Sequence, residues 1–264
     1  DAQESRGLGD VYKRQDDERR NVVTVQNPLE ADRAVLGTTL LPSMLDAVRR
    51  NVVRGANDLA LYGVEQVAIN HGDGKSPMLD TSSRPSDEEV AHLRDTLPVQ
   101  PLYVATVASG NVEFEGPWGE GRAYTFADAI EAARTVARAA DVEITVENAE
   151  YLPWHPGRCA AILVDGTVVG HAGELHPQIL ERLGLPKRTC AMEMNLSALP
   201  FAPSAPAPVL SAFPTNLQDI ALVVDEDVPA EAVRATVQEG AGELAEKVEP
   251  VSYTHLTLPT SDLV

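Results

Sequence analysis

Cationic side chains, aromatic rings and cysteines are all scarce in this chain, and each shortage removes a class of function. Lys and Arg number 21 against 40 Asp and Glu, a formal net charge of −19. That balance excludes broad phosphate binding, because affinity for a nucleic-acid backbone comes from a positive surface that releases counterions. The surplus acid serves a solvated, soluble surface instead. Only 2 cysteines occur in 264 residues, too few for a disulfide framework, which points to a reducing, cytoplasmic setting. No apolar run approaches membrane-spanning length and the N-terminus carries no signal-peptide core, so no membrane partner is expected. HExxH and CxxC, the spacings zinc sites use, are absent from the sequence.

What is present is an ordinary globular composition, 44% hydrophobic, enough for one large domain or two smaller ones. Chemistry-bearing residues concentrate between Pro153 and Pro177, PWHPGRCAAILVDGTVVGHAGELHP. His155 and Cys159 stand four apart, a helical pairing distance, but Pro156-Gly157 between them forbids a regular helix. Cys159 is therefore expected in a strand, where a small apolar thiol packs well. His171 and His176 follow no ligand spacing, and structural roles are expected for all four residues. Glu174 beside His176 could form an acid–base pair; a hydrogen bond that shapes the turn is the favoured reading. Cys159 and Cys190 could approach across strands, without a bond in a reducing compartment. Two rival readings stand beside the structural one. A free-standing Cys/His or metal-dependent hydrolase would need these side chains to converge, and the other rival is an acidic non-enzymatic interaction module.

The pattern along the chain predicts an α+β fold, an antiparallel sheet with flanking helices. Asn27-Pro28 marks a turn after Val22, Val23 and Val25. Pro42 suits a first helical position, and Leu41, Leu45, Val48 and Val52 share one helical face that Gly55 stops. Arg49, Arg50 and Arg54 complement the dipole at its C-terminal end. Leu59 to Ile69 reads as a strand, followed by the loop HGDGKSP. SDEE at 86–89 is a capping box for a short helix ending by Pro98. Leu102 to Val107 is a strand, and the Gly-rich loop EGPWGEGR at 115–122 lacks the Lys-Ser/Thr of a phosphate loop. Phe126, Ile130, Ala133 and Ala137 mark a helix capped near Thr125, and Val142, Ile144 and Val146 alternate as a strand. Asp165-Gly166 predicts a two-residue hairpin turn. Pro177 to Gly184 is a short helix, and Cys190, Met192, Met194 and Leu196 mark a strand with one dry face. The proline-rich stretch 201–211 is a linker, after which Leu217 to Val224 reads as a strand and Ala230 to Ala241 as a helix.

Both ends read as foreign. DVYKRQ at 10–15 is encoded by GATGTGTATAAGAGACAG, and VSYTHL at 251–256 by the reverse complement of the same DNA, read from its third base. That element resembles the end of a transposon-based sequencing adapter. Residues 1–15 and 251–264 are therefore expected to be adapter-derived, and 16–250 to be an internal piece of a longer gene.

Three blocks in order carry a family resemblance: NPLEADRAVLGTTLLPSMLDAVRRNVVRG (27–55), WHPGRCAAILVDGTVVGHAGELHP (154–177) and FPTNLQDIALVVDEDVPAEAVRATVQEGAGEL (213–244). They resemble the C-terminal part of bacterial phenylalanyl-tRNA synthetase β subunits. The resemblance implies a catalytic-like class II synthetase domain, inactive, over 16–200. It also implies the start of a ferredoxin-fold anticodon-binding domain over 212–250. An active class II site needs an arginine after a strand and a second in a Gly-rich strand–helix motif. HGDGKSP and GELHPQILERL supply neither, and Arg182 reads as a surface helix residue. No catalytic, cofactor-binding or metal-binding residue is therefore assigned. The resemblance implies a partner α subunit in a tetramer of two α and two β, and contact with tRNA(Phe) through the anticodon-binding domain of the full-length protein. ATP and magnesium would serve the α active site, with no cofactor on this piece. Gln218-Asp219 departs from the Arg-Asp that such anticodon domains often carry. Half of a ferredoxin fold is expected to pack poorly.

Overall fold

The computed structural model describes residues 17–251, apart from 32–33, 72–77, 81, 118, 201–206, 208–211 and 226–227. The adapter-like ends 1–15 and 252–264, most of the HGDGKSP loop and nearly all of the proline-rich linker lie outside the described residues. Contacts divide the chain into two units, Asp1–Pro206 and Ala207–Val264.

In the first unit, helix α1 (Leu41–Val53) precedes strand β1 (Leu59–Gln66), helix α2 (Asp87–Asp95) and strand β2 (Leu102–Ser109). The short ribbon β3 (Asn111–Glu113) and β4 (Arg122–Ala123) leads to helix α3 (Phe126–Ala139) and strand β5 (Thr145–Asn148). The hairpin β6 (Trp154–Val164) and β7 (Thr167–Leu175), helix α4 (Pro177–Leu183) and strand β8 (Cys190–Asn195) complete it. Six strands form one antiparallel sheet in the order β1-β2-β8-β7-β6-β5. At the hairpin turn Asp165 and Gly166 both adopt positive φ, 48° and 76°, the conformation a type I′ turn requires. Between Trp154 and Cys159 the register of β6 against β7 shifts, so the His-Pro-Gly stretch is absorbed as a bulge. Gly173 lies opposite, where a Cβ would come within 2.1 Å of the Arg158 carbonyl oxygen. Only glycine allows that approach.

Helices cover both faces. On one, Leu41, Leu45 and Val48 of α1 and Ile179 and Leu180 of α4 pack with Val107, Trp154, Leu175 and Ala191. On the other, Ala129 and Ala133 of α3 pack on Ile162, Ala172, Met192 and Met194. The buried stripe of α3 is thus Ala129, Ala133 and Ala137. The larger Phe126 and Ile130, expected inside with Ala133 and Ala137, flank it, because small side chains let the helix approach the sheet. The strand β8 also departs from expectation. Ala191 and Glu193 are buried as well as Cys190, Met192 and Met194, since this strand lies centrally under helices on both sides. β1 is shorter than expected, and beyond it Ile69 joins Val99 through an isolated bridge.

Helix starts follow local rules twice. In α2 the Ser86 N–H donates to Glu89 (2.8 Å) and the Glu89 N–H to the Ser86 hydroxyl (3.2 Å). In α3 the Thr125 N–H and hydroxyl both donate to Asp128, at 2.8 and 3.0 Å. α1 differs, because its N-cap residue is Leu40, with no capping side chain. Glu193 from β8 takes that role instead. It accepts the Leu40 N–H at 2.6 Å and the Thr39 hydroxyl at 2.6 and 2.8 Å. At the other end of α1, Arg49 and Arg50 both pair with Asp46, and Gly55 at φ 93° ends it.

In the second unit, helix α5 (Ala230–Ala241) forms as expected. Leu217 to Val224 is not a strand. It runs without ladder pairing, with Leu217 at 91% and Val223 at 82% exposure, because apolar alternation makes a strand only where a neighbouring strand accepts its hydrogen bonds. None of the described residues of this unit is buried.

Replacing Glu193 by Ala should lower stability by about 2–4 kcal/mol, since two buried donors lose their acceptor. Urea unfolding followed by tryptophan fluorescence measures this, and Glu193→Gln should lose less.

Candidate functional site

The α1 face of the sheet holds a cavity of about 640 Å³, lined among others by Glu18, Arg19, Tyr103, Tyr151, Trp154, His171 and Glu193. It is assembled from distant parts of the chain. β8 supplies Glu193 and β7 supplies His171, which face one another in register. The segment just before β6 supplies Tyr151, and the short 3₁₀ turn Glu18–Arg20 supplies the rim. Trp154 is 2% exposed and anchors the floor by donating its indole N–H to the Ala191 carbonyl at 2.8 Å.

Flat groups stack across the cavity. Tyr151 and His171 lie with ring centroids 3.9 Å apart and planes within 9°. Trp154 is tilted beside His171 at 5.7 Å. The Arg19 guanidinium sits over Tyr151, its central carbon 4.5 Å from the ring centroid, a distance at which the ring face attracts a cation. Arg19 is also tied to Asp17, Nη2 to carboxylate at 2.6 Å, and donates to the Leu152 carbonyl at 3.0 Å. Burial, reinforced by the charge of Arg19, pushes the His171 imidazole down to about 4. Burial also pushes the Glu193 carboxyl above its ordinary range, although Thr39 and Leu40 donate to it. The ionisable groups that line the cavity are thus the imidazoles of His71 and His171, an arginine already paired, the carboxyl groups of Glu18 and Glu193, and the phenols of Tyr103 and Tyr151.

The residues singled out in the sequence are dispersed. His155 accepts the Gly157 N–H at its own Nδ1 (3.0 Å), shaping the bulge. His176 caps α4, its Nδ1 accepting the Gln178 N–H at 3.2 Å. Their rings lie 6.2 Å apart. Cys159 and Cys190 belong to core clusters on opposite faces of the sheet and are unbonded. Burial pushes the Cys159 thiol up to about 11 and the Cys190 thiol up to about 12, so neither supplies a thiolate nucleophile near neutral pH. Glu174 is 3% exposed and pairs not with His176 but with Arg158 (3.3 Å) and Arg188 (3.7 Å). Among the described residues no three His, Cys, Asp or Glu side chains gather as a metal site would need. Arg19, Tyr151 and Glu193 carry no motif that would have marked them. The one signal was an acidic residue between Met192 and Met194.

A model described as the phenylalanyl tRNA synthetase beta chain CLM domain matches residues 5–196. The chain belongs to this family. All six strands of the sheet lie within the matched span, and α5 lies beyond it. Among curated relatives, the phenylalanine–tRNA ligase beta subunit of Corynebacterium efficiens is 71% identical over 234 residues, covering 89% of this chain and 28% of that protein. That of Nocardia farcinica is 51% identical over 234 residues, covering 88% and 28%. The chain thus spans somewhat over a quarter of the length of these β subunits. Among solved structures it is similar to a pyrrolysyl-tRNA synthetase from Desulfitobacterium hafniense, with TM-score 0.45 and 10% identity, covering 72% of this chain and 56% of that one. No helix among the described residues is long and apolar enough to cross a membrane.

In the folded chain neither cysteine should react with a thiol-specific disulfide reagent near about pH 7.5, and both should react once denaturant opens the core. His171 gives a second expectation. In the folded chain its pKa of about 4 lies below the ordinary imidazole value of 6.5, so the unfolded chain binds the extra proton between those values. Its contribution is present above pH 6.5 and is lost as pH falls towards 4. A pH series of unfolding midpoints should show that slope, flattened in His171→Gln.

Proposed function

We propose that this chain is a catalytically silent scaffold portion of the phenylalanine–tRNA ligase β subunit. In this reading 16–200 is a class II synthetase-like core without an active site, 201–211 a linker, and 212–250 the start of a ferredoxin-fold anticodon-binding domain. The partner is the α subunit, in a tetramer of two α and two β, whose active site joins phenylalanine to tRNA(Phe) with ATP and magnesium. The β subunit contributes framework and, in its full length, contact with tRNA.

The observation that carries the silent reading is the charge inside the cavity. Binding a nucleoside triphosphate needs positive charge that is not already neutralised. Here Arg19 is bound to Asp17, and Glu18 and Glu193 also line the space. Arg19 is the one arginine among the described lining residues and no lysine joins it, so the side chains of this cavity offer a triphosphate no further cation.

The scaffold role draws support from the sheet edge. β1 is an end strand of the sheet, and its Tyr62 and Val64 are 81% and 44% exposed. Both register with residues of the α3 face, Tyr62 with Thr106 and Val64 with Val104. An apolar row beside an edge that no described strand pairs with is what a partner surface covers.

Full-length β subunits bearing these changes, co-expressed with α, provide the test. Tyr62→Arg with Val64→Arg should cut co-purifying α by about tenfold or more, without lowering the thermal stability of β. Tyr103→Phe and Glu18→Gln, both in the cavity, should leave phenylalanine-dependent ATP–pyrophosphate exchange within about twofold of the parent. A loss of about a hundredfold in an intact tetramer would mean that the cavity takes part in the chemistry.

A further inference from the structure

The stack over the sheet is continuous from a surface turn to the core. Arg19 covers Tyr151 at 4.5 Å, Tyr151 covers His171 at 3.9 Å, and His171 adjoins Trp154 at 5.7 Å. The guanidinium carbon lies over an aromatic face, with a carboxylate and a carbonyl within hydrogen-bond distance of its nitrogens. Asp17 accepts from Nε at 2.9 Å and from Nη2 at 2.6 Å, the fork geometry that planar carboxylate recognition uses. The Leu152 carbonyl accepts from Nη2 at 3.0 Å, across 133 residues of sequence. Face, fork and carbonyl are the parts from which a binding pocket for a guanidinium is built.

The segment that carries Arg19 is itself tied down on both sides. The Thr38 hydroxyl donates to the Arg19 carbonyl at 2.8 Å. Asn21 and Asn70 exchange two hydrogen bonds, Asn21 Nδ2 to the Asn70 carbonyl at 3.1 Å and Asn70 Nδ2 to Asn21 Oδ1 at 3.0 Å. Arg19 and Asp17 side chains are each 15% exposed, well covered for charged groups at the rim of a cavity. Their salt bridge is therefore less screened than a surface pair.

We infer that the sheet-face cavity contains a guanidinium-binding site occupied in cis. Arg19 is its resident ligand, and the Arg19 side chain keeps planar cations in solution out of a site whose carboxylate, Asp17, sits on the same turn. The site would take a guanidinium or amidinium group through the face of Tyr151, the Asp17 carboxylate and the Leu152 carbonyl. Tethering explains why the site is closed in the parent chain. A group held on the same polypeptide faces its site at a high effective concentration, so free ligand at ordinary concentration does not displace it.

The experiment vacates the site and offers the ligand back. In Arg19→Ala the full chain keeps Asp17, Leu152 and Tyr151, and its Tm should fall by several degrees, about 2–8 °C. Methylguanidinium, at about five times its Kd and far below denaturing strength, should raise the Tm of this variant by about 2–4 °C with a saturable dose response. It should not stabilise the parent chain or Arg19→Ala combined with Tyr151→Leu. Trp154, adjacent to the stack, should report the same saturation by fluorescence. Methylammonium, which matches the charge but not the plane, should have no such effect. Arg19→Lys, which keeps a cation and loses the fork, is the variant to use should Arg19→Ala not fold, and it too should gain stability from methylguanidinium. Equal responses of parent and variant, or a response that survives Tyr151→Leu, would overturn the assignment.

Discussion

A buried carboxylate on the central strand governs how this sheet and its first helix are joined. Glu193 sits in β8, between strands β2 and β7, and is 8% exposed. It is placed there because α1 begins at a leucine with no capping side chain of its own. The first amides of a helix need acceptors, and here they come from the sheet rather than from the helix sequence. The arrangement fixes where α1 enters the core, which sets Leu41, Leu45 and Val48 against β1 and β2. Without the cap, the α1 layer would lack its registration point.

The opposite face is held by a different rule. Ala129, Ala133 and Ala137 bring α3 close to the sheet over Met192, Met194 and Ile162. Methionine fills the irregular space that a small-residue stripe leaves. One face is thus registered by a charged contact and the other by close apolar packing. The cavity lies on the registered face, where Glu193 contributes both to the cap and to the wall. The same residue therefore explains why that space is acidic.

The parts legible in the sequence were those whose physics is local. Asp165-Gly166, the Ser86–Glu89 box and the Pro177 helix start each depend on neighbours within a few residues, and each forms as read, whereas Pro42 lies one residue inside a helix whose cap comes from β8. The family resemblance was legible for the same reason, since three contiguous blocks carried it. What could not be read was contact across the chain. Glu193 meets Leu40 across 153 residues, and Arg19 meets Leu152 across 133. No periodicity encodes such pairs. The exposed run Leu217 to Val224 shows the converse, where alternation was present and the neighbouring strand was not. The histidines and Cys159 attracted attention by their density, yet a bulge, a helix cap, an aromatic stack and a core position use them one at a time.

The edge of the sheet has a consequence for the cell as well as for the fold. β1 lies at the end of the strand order, and among the described residues no strand pairs with its outer row of backbone donors and acceptors, with Tyr62 exposed next to it. Edges of this kind template self-association unless something covers them. Self-association rises with the square of concentration at low occupancy, whereas capture by a different subunit rises only with the product of the two. A surplus of one polypeptide over its partner would therefore be removed by clumping faster than it is rescued. On the scaffold reading proposed above, the strand that recruits a partner would thus also favour matched synthesis of the two chains.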